Sequence, residues 1–420
     1  MHVKSGTNKK HFKHLQNTNT GKQELKWILI AGGMVVAIAA ISITVFVLRP
    51  HKPILAFYRI PDNIEKIITD IATNPKYAGK EIYKIQHLDD STSLASQITS
   101  KSKIDLLFTY DGQSARAISQ YALAPSEQIR QRMPTTIRRV GKTNNKTYGV
   151  PLLLDFFEVA YNKKMFKQAG LSEPKNLSEL KTDAKLLKTH TITPIICAGG
   201  QDTDLLMLVG ALTESLSGIK GWEETITAMQ KGSDFSTLIH NTPLGITLQE
   251  FIQWKKEGLI YPEWYRMKNK EIEAFMENDY TALVFMPLST HRTIPQKTIE
   301  KFTIIAMPSN LTKQNRAFTV PVLEGILIDK KKPNKKAQNF LYTLTEASTQ
   351  KELGIKTGLV PVSSTAETQD IQASDIRLWA AASYEPLPDI AQAAYSEPQK
   401  YAEFAQIIRT FLEADGIGFN

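Results

Sequence analysis

The chain has 420 residues, 42% hydrophobic and 22% charged, the composition of a globular protein with length for two or three compact units. Its formal net charge of +9 is concentrated at the start: residues 1–26 hold six Lys and one Glu, Arg49 and Lys52 follow, and residues 53–420 carry only +2. A nearly neutral body excludes nucleic-acid binding as the main task, and a single cysteine, Cys197, excludes an intrachain disulfide.

Residues 27–48 form an uncharged, largely apolar run of 22. At ~1.5 Å per residue such a helix spans a bilayer core of roughly 30 Å. The Lys-rich flank before it puts residues 1–26 in the cytoplasm and the main body outside, as periplasmic or extracellular mass on the cell membrane. A cleaved signal peptide with its site at Ala37-Ile38-Ala39 is the competing reading. The apolar run continues through Val47, which favours an uncleaved anchor. No Cys follows the run, so a lipid anchor is excluded.

Beyond a short linker at 51–53, strands and amphipathic helices alternate. Residues 54–58 are continuously apolar, as in a strand buried on both faces. Asp62 with Glu65 signals a helix start, and Ile64, Ile67, Ile68 and Ile71 supply its apolar stripe. A strand at 81–87, a helix at 93–102 and a strand at 104–108 complete β-α-β-α-β, hence a parallel sheet with right-handed crossovers. Such sheets bind ligands beyond the carboxyl ends of their strands. That rule nominates Arg59 with Ile60, Asp89 with Asp90, and residues 109–112, which include Tyr110 and Asp111.

A second α/β stretch follows. Asn176 caps a helix with Glu179 three residues on, and Leu177, Leu180, Ala184 and Leu187 face inward. Thr193–Cys197 reads as a strand that runs into Gly199-Gly200-Gln201-Asp202. Helices are predicted at 202–216, 222–230, 243–257 and 268–278, and strands at 281–286, 302–307 and 320–328. After the basic turn at 330–336, Asn334 caps a helix with Ala337, Phe340, Leu341 and Leu344 inside. Tyr401, Phe404, Ile408 and Phe411 stripe a last helix.

Four segments together resemble the sugar-type extracytoplasmic solute-binding proteins of bacterial ABC importers, the maltose-binding-protein-like type. They are residues 149–171, with Gly149-Val150-Pro151, Tyr161-Asn162-Lys163 and Ala169-Gly170-Leu171; residues 274–283; residues 325–344; and Gly358-Leu359-Val360-Pro361-Val362. The resemblance implies an α/β, two-lobed periplasmic-binding-protein (type II) fold, here with an N-terminal transmembrane helix. It implies lobe 1 from 53–155 plus 319–365, lobe 2 from 156–318 plus 366–420, and hinge closure on a ligand. It implies a membrane-anchored receptor for a small polar solute, with a carbohydrate favoured, that serves ABC permease subunits. A non-transport receptor or sensor ectodomain of the same fold is the alternative.

Asp155 falls where the resembled pattern, counted back from Tyr161-Asn162-Lys163, puts a ligand-contacting acid. A carboxylate there accepts paired hydrogen bonds from hydroxyls or meets a cation. Tyr110 and Asp111 would supply an aromatic face and a second carboxylate. Phe156 and Phe157 have opposite facing if extended, one toward the cleft and one toward the core. Arg59, Gln201, Asp202, Met286 and Glu324 complete the candidate ligand-binding residues. At 286–289 the chain reads Met-Pro-Leu-Ser, without the sugar-stacking tryptophan of the maltose-binding type. No Walker, Gly-x-Ser-x-Gly, His-Glu-x-x-His or Cys-x-x-Cys pattern occurs, so no enzyme activity, cofactor or metal is expected and ATP hydrolysis falls to a partner.

Overall fold

A computed structural model describes residues 52–78, 82–309, 311, 319–329, 333–382 and 385–419. The expected tail at 1–26 and anchor at 27–48 lie outside the described residues. Among the described residues no helix is long and apolar enough to cross a membrane.

Among the described residues eleven strands form: β1 Ile54–Phe57, β2 Lys84–His87, β3 Leu106–Thr109, β4 Lys142–Thr143, β5 Lys146–Thr147, β6 Val150–Asn162, β7 Thr193–Cys197, β8 Thr281–Pro287, β9 Phe302–Ala306, β10 Thr319–Leu327 and β11 Val360–Pro361. β4 and β5 make a separate hairpin; the other nine join in one sheet whose path runs β2-β1-β3-β10-β6-β8-β7. The pairs β1–β2 and β1–β3 are parallel, as is β7–β8. The expected βαβ units are therefore present, with β10 returning antiparallel beside β3.

β6 ties the molecule together. Its first half pairs with β10 and β11, and its second half with β8 and β9. All of it is buried except Tyr161, which is half-buried. One long apolar strand thus serves two lobes, each with its own core. Leu152, Leu154 and Phe156 enter the first lobe's core; Phe157, Val159 and Ala160 enter the second's. The period-two alternation explains why Phe156 and Phe157 part company, but both go to cores. Phe156 is fully buried 5.7 Å from the Trp379 ring, so neither phenylalanine enters the cleft.

Ten helices concern the site and the cores: α1 Asp62–Thr73, α2 Leu177–Leu187, α3 Asp202–Gln230, α4 Pro243–Lys256, α5 Leu288–His291, α6 Lys335–Leu344, α7 Ala347–Thr357, α8 Ile371–Ala382, α9 Ile390–Ala394 and α10 Pro398–Glu413. Asn176 Oδ1 accepts from the Glu179 N–H at 2.8 Å, and Asn334 Oδ1 from the Lys336 N–H at 3.1 Å, as expected for caps. Asp62 is not a cap; Pro61 holds that position and Asp62 and Glu65 lie in the first turn, where they complement the helix dipole. The two helices expected at 202–216 and 222–230 are both present within α3, broken from each other at Gly218, whose φ of 72° and ψ of 177° are not helical and suit glycine.

The sequence reading gave residues 366–420 to the second lobe. Ala373, Ile376 and Ala380 of α8 instead pack in the first core, whereas Ile390, Tyr401, Phe404 and Ile408 pack in the second.

Candidate functional site

A cavity of about 420 Å³ opens where β6 and β10 pass between the lobes. Asp155 of β6 and Val320 and Val322 of β10 line it; Asp155 and Val320 pair directly across the two strands. The first lobe adds Pro61, Asn63 and Ile64 at the start of α1. The second adds Gln201, Thr203, Asp204 and Met207 at the start of α3, and Ser289 and Thr290 of α5. Thr357 and Leu359, beside the start of β11, and Asp389 and Gln392, at the start of α9, close it further. None of the described lining residues is aromatic.

Three of the liners are buried carboxylates. Asp155 is 3% exposed; its Oδ1 accepts from the Phe156 N–H at 2.8 Å and the Ser289 N–H at 3.1 Å. Burial outweighs these bonds and pushes its acid up to about 6. Asp204 is 6% exposed, and the Thr290 hydroxyl donates to its Oδ2 at 3.4 Å. Burial first, then the charge of Asp155, pushes Asp204 up to about 7. Asp389 caps α9, with Oδ1 accepting from the Ala391 and Gln392 N–H groups at 2.9 Å each and Oδ2 from the Tyr401 hydroxyl at 3.2 Å. Burial raises it to about 7 as well. The cationic liner, Arg292, is engaged elsewhere: it pairs with Asp370 at 2.7 Å, and its Nε donates to the Gly358 carbonyl at 3.0 Å.

Arg59 lies outside the cavity, in a seam between the lobes. Its φ is 54°, and its N–H donates to Asp90 Oδ1 at 2.7 Å. The guanidinium sits 5.7 Å from the Tyr110 ring and 5.1 Å from the Tyr401 ring, and Nη1 donates to the Tyr110 hydroxyl at 3.2 Å. Tyr110 follows β3, while Tyr401 belongs to α10. Arg59 and Tyr110, at strand ends of the first lobe, therefore meet a C-terminal helix rather than the cavity. Ser114 Oγ, donating to the Ser396 carbonyl at 3.2 Å, extends the same seam.

The remaining candidates lie apart from the cavity. Asp111 is buried in the first lobe and accepts from the Tyr148 hydroxyl at 3.1 Å; burial raises its acid. Glu324 is fully buried nearby, against Gly141 and Gly149, with neither carboxylate oxygen hydrogen-bonded among the described residues. Burial and then Asp111 push it well above the usual carboxylate range. The cause of its misplacement is β10's register, which shifts between Pro321 and Leu323 and again between Leu323 and Glu324. Asp202 turns away to pair with Arg409. Met286 is fully buried in the second core. Of the nine candidates, the cavity brings together Asp155 and Gln201. Asp204, Asp389 and Thr290 escaped the sequence reading. Asp204 could have been found: it lies one helical turn beyond Gln201, on the face that follows a strand end. Asp389 has no local signal.

Among the described residues no group of three or more His, Cys, Asp or Glu is arranged to hold a metal ion. The geometry is that of a partly open cavity shared by two lobes, with apolar walls and a set of polar side chains. Residues 83–378 match the family of bacterial extracellular solute-binding proteins, and the chain belongs to that family. No curated protein sequence matches it. Solved structures share the fold. The bacterial solute receptor AcbH, described as having an exclusive preference for β-D-galactopyranose, aligns at TM-score 0.70 and 12% identity over 87% of this chain and 94% of its own. RafE from Streptococcus pneumoniae aligns at 0.63 and 14% over 88% and 99%, and a chitin oligosaccharide binding protein at 0.62 and 18% over 86% and 99%.

Proposed function

We propose that this protein is the extracytoplasmic receptor of an ABC importer, and that it captures a small polar solute, a carbohydrate, between its lobes. The observation that carries this reading is the cavity of about 420 Å³ at the β6–β10 crossing, walled from both lobes and lined by aliphatic side chains with polar groups set among them. Its volume falls within the roughly 300–1,000 Å³ of small-molecule sites. The sugar-binding relatives of the same fold support the carbohydrate.

Asp155 and Gln201 are the proposed contacts from the original candidates, joined by Asp204 and Thr290. Lobe 1 comprises 53–155 and 319–365, extended by α8, and lobe 2 comprises 156–318 and the chain from α9 onward. The lobes close on the solute about β6 and β10. Residues 27–48 anchor the receptor in the membrane with residues 1–26 in the cytoplasm. A separate ATPase drives the permease, since this chain has no phosphate-binding Gly-rich motif.

Isothermal titration of the full-length protein against mono- and disaccharides tests the reading. Saturable binding is expected, and Asp155→Ala is expected to weaken it. A folded protein that binds no sugar, charged or neutral, refutes it.

A further inference from the structure

The acids of the cavity constrain the solute beyond its being polar. Asp155 and Asp204 are each more than nine-tenths buried, face one cavity and sense each other's charge. Among the described residues neither has a Lys, Arg or His in ion-pair contact; Arg292 pairs through Nη1 with Asp370, and its buried Nη2 has no hydrogen-bond partner. Asp389 is different, because two N–H groups of its own helix and the Tyr401 hydroxyl satisfy it. The pair Asp155–Asp204 is thus a buried acidic site without an ion-pair partner among the described residues. Buried carboxylates without a partner cost free energy, so a partner is expected to arrive from outside.

The other liners say what that partner carries. Among the described liners no Phe, Tyr or Trp offers a face on which a neutral pyranose stacks. Ile64, Met207, Val320, Val322 and Leu359 instead offer aliphatic contact to a carbon skeleton. Asn63, Gln201, Asn269 and Thr290 offer donors and acceptors for hydroxyl groups.

We propose that the solute is an amino sugar with a free, protonated amine, and that Asp155 and Asp204 together hold its ammonium. This rests on the solute-capture reading above. An ammonium donates up to three charge-assisted hydrogen bonds and cancels the repulsion between the two carboxylates. A hydroxyl donates one neutral bond and leaves the repulsion in place. An acetylated amine loses the charge and adds bulk.

The test is isothermal titration of the full-length protein with glucosamine and its β-1,4 dimer, against glucose, cellobiose, N-acetylglucosamine and N,N′-diacetylchitobiose. The amine is expected to bind at least about tenfold more tightly than its neutral counterparts, since charge-assisted bonds are roughly twice as strong as neutral ones. Asp204→Asn is expected to erase that preference, and Asp155→Asn does the same should the first variant fail to fold. Neutral sugars binding as tightly as the amines overturn the ammonium site and leave solute capture standing. A preference that survives both substitutions also overturns it. No binding of any of the six sugars overturns both readings.

Discussion

Asp204→Asn is expected to stabilise the empty protein while it damages the site. The native carboxyl titrates at about 7, against an ordinary value of 3.8. Between about pH 4 and about pH 7 the unfolded chain has released this proton and the native state has kept it. Native stability therefore falls as pH rises through that window and levels off above it. At about 1.4 kcal/mol per pH unit, full ionisation costs up to about 4 kcal/mol, of which about 3 kcal/mol accrues between pH 5 and pH 7. Asparagine keeps the shape and can still accept from the Thr290 hydroxyl, but it cannot ionise. The assay is urea unfolding of the full-length wild type and variant at several pH values without added solute. The variant's advantage is expected to grow by about 3 kcal/mol from pH 5 to pH 7 and to stay flat above. A constant difference across pH refutes the reasoning, because it would mean that Asp204 carries no buried-charge cost.

Three further substitutions probe the frame around the site. Gly149→Ala places a Cβ on the buried Glu324 carboxylate and is expected to cost about 3 kcal/mol, read as a lowered thermal midpoint. An unchanged midpoint would show that Glu324 does not pack there. Glu158, fully buried on β6, accepts from Gln372 Nε2 at 2.7 Å and lies 2.6 Å from His291 Nδ1. Glu158→Ala strands both partners and is expected to lower stability in urea by about 3 kcal/mol; a loss under about 1 kcal/mol would remove that network from the account. Arg59→Ala removes a cation shared by Tyr110 and Tyr401, worth about 1–2 kcal/mol to the contact at this seam. Small-angle scattering of the solute-free variant is expected to show a larger radius of gyration, and identical profiles would exclude a latch at the seam.

Much of the architecture was legible because it is local. Apolar runs at 54–58 and 193–197 read as buried strands, and Asn176 and Asn334 announced their helices by capping chemistry. Asp155 was legible for the same reason: it ends a run of leucines on a strand whose following motif is distinctive. The partners of a residue are not local. Asp202 and Asp204 differ by half a turn of one helix, yet the first meets Arg409, 207 positions away, and the second meets the cavity. Sequence spacing distinguishes the faces of that helix but not what lies opposite each face. Asp389 reads as an acid in a loop, and only the return of α9 and α10 onto the second core brings it to Asp155's cavity.

β10 shows how the same backbone both builds the site and hides a candidate from it. Val320 and Val322 line the cavity, and simple alternation would add Glu324 to the same face. The two register shifts around Leu323 break that alternation. Pro321, which cannot donate a ladder hydrogen bond, sits where such an irregularity is tolerated. Glu324 is thereby turned into the first lobe, against glycines whose missing side chains leave room for it. β10 thus gives the cavity two valines and no acid. The cavity's acids without a cap of their own are then Asp155 and Asp204, the pair proposed to meet an ammonium.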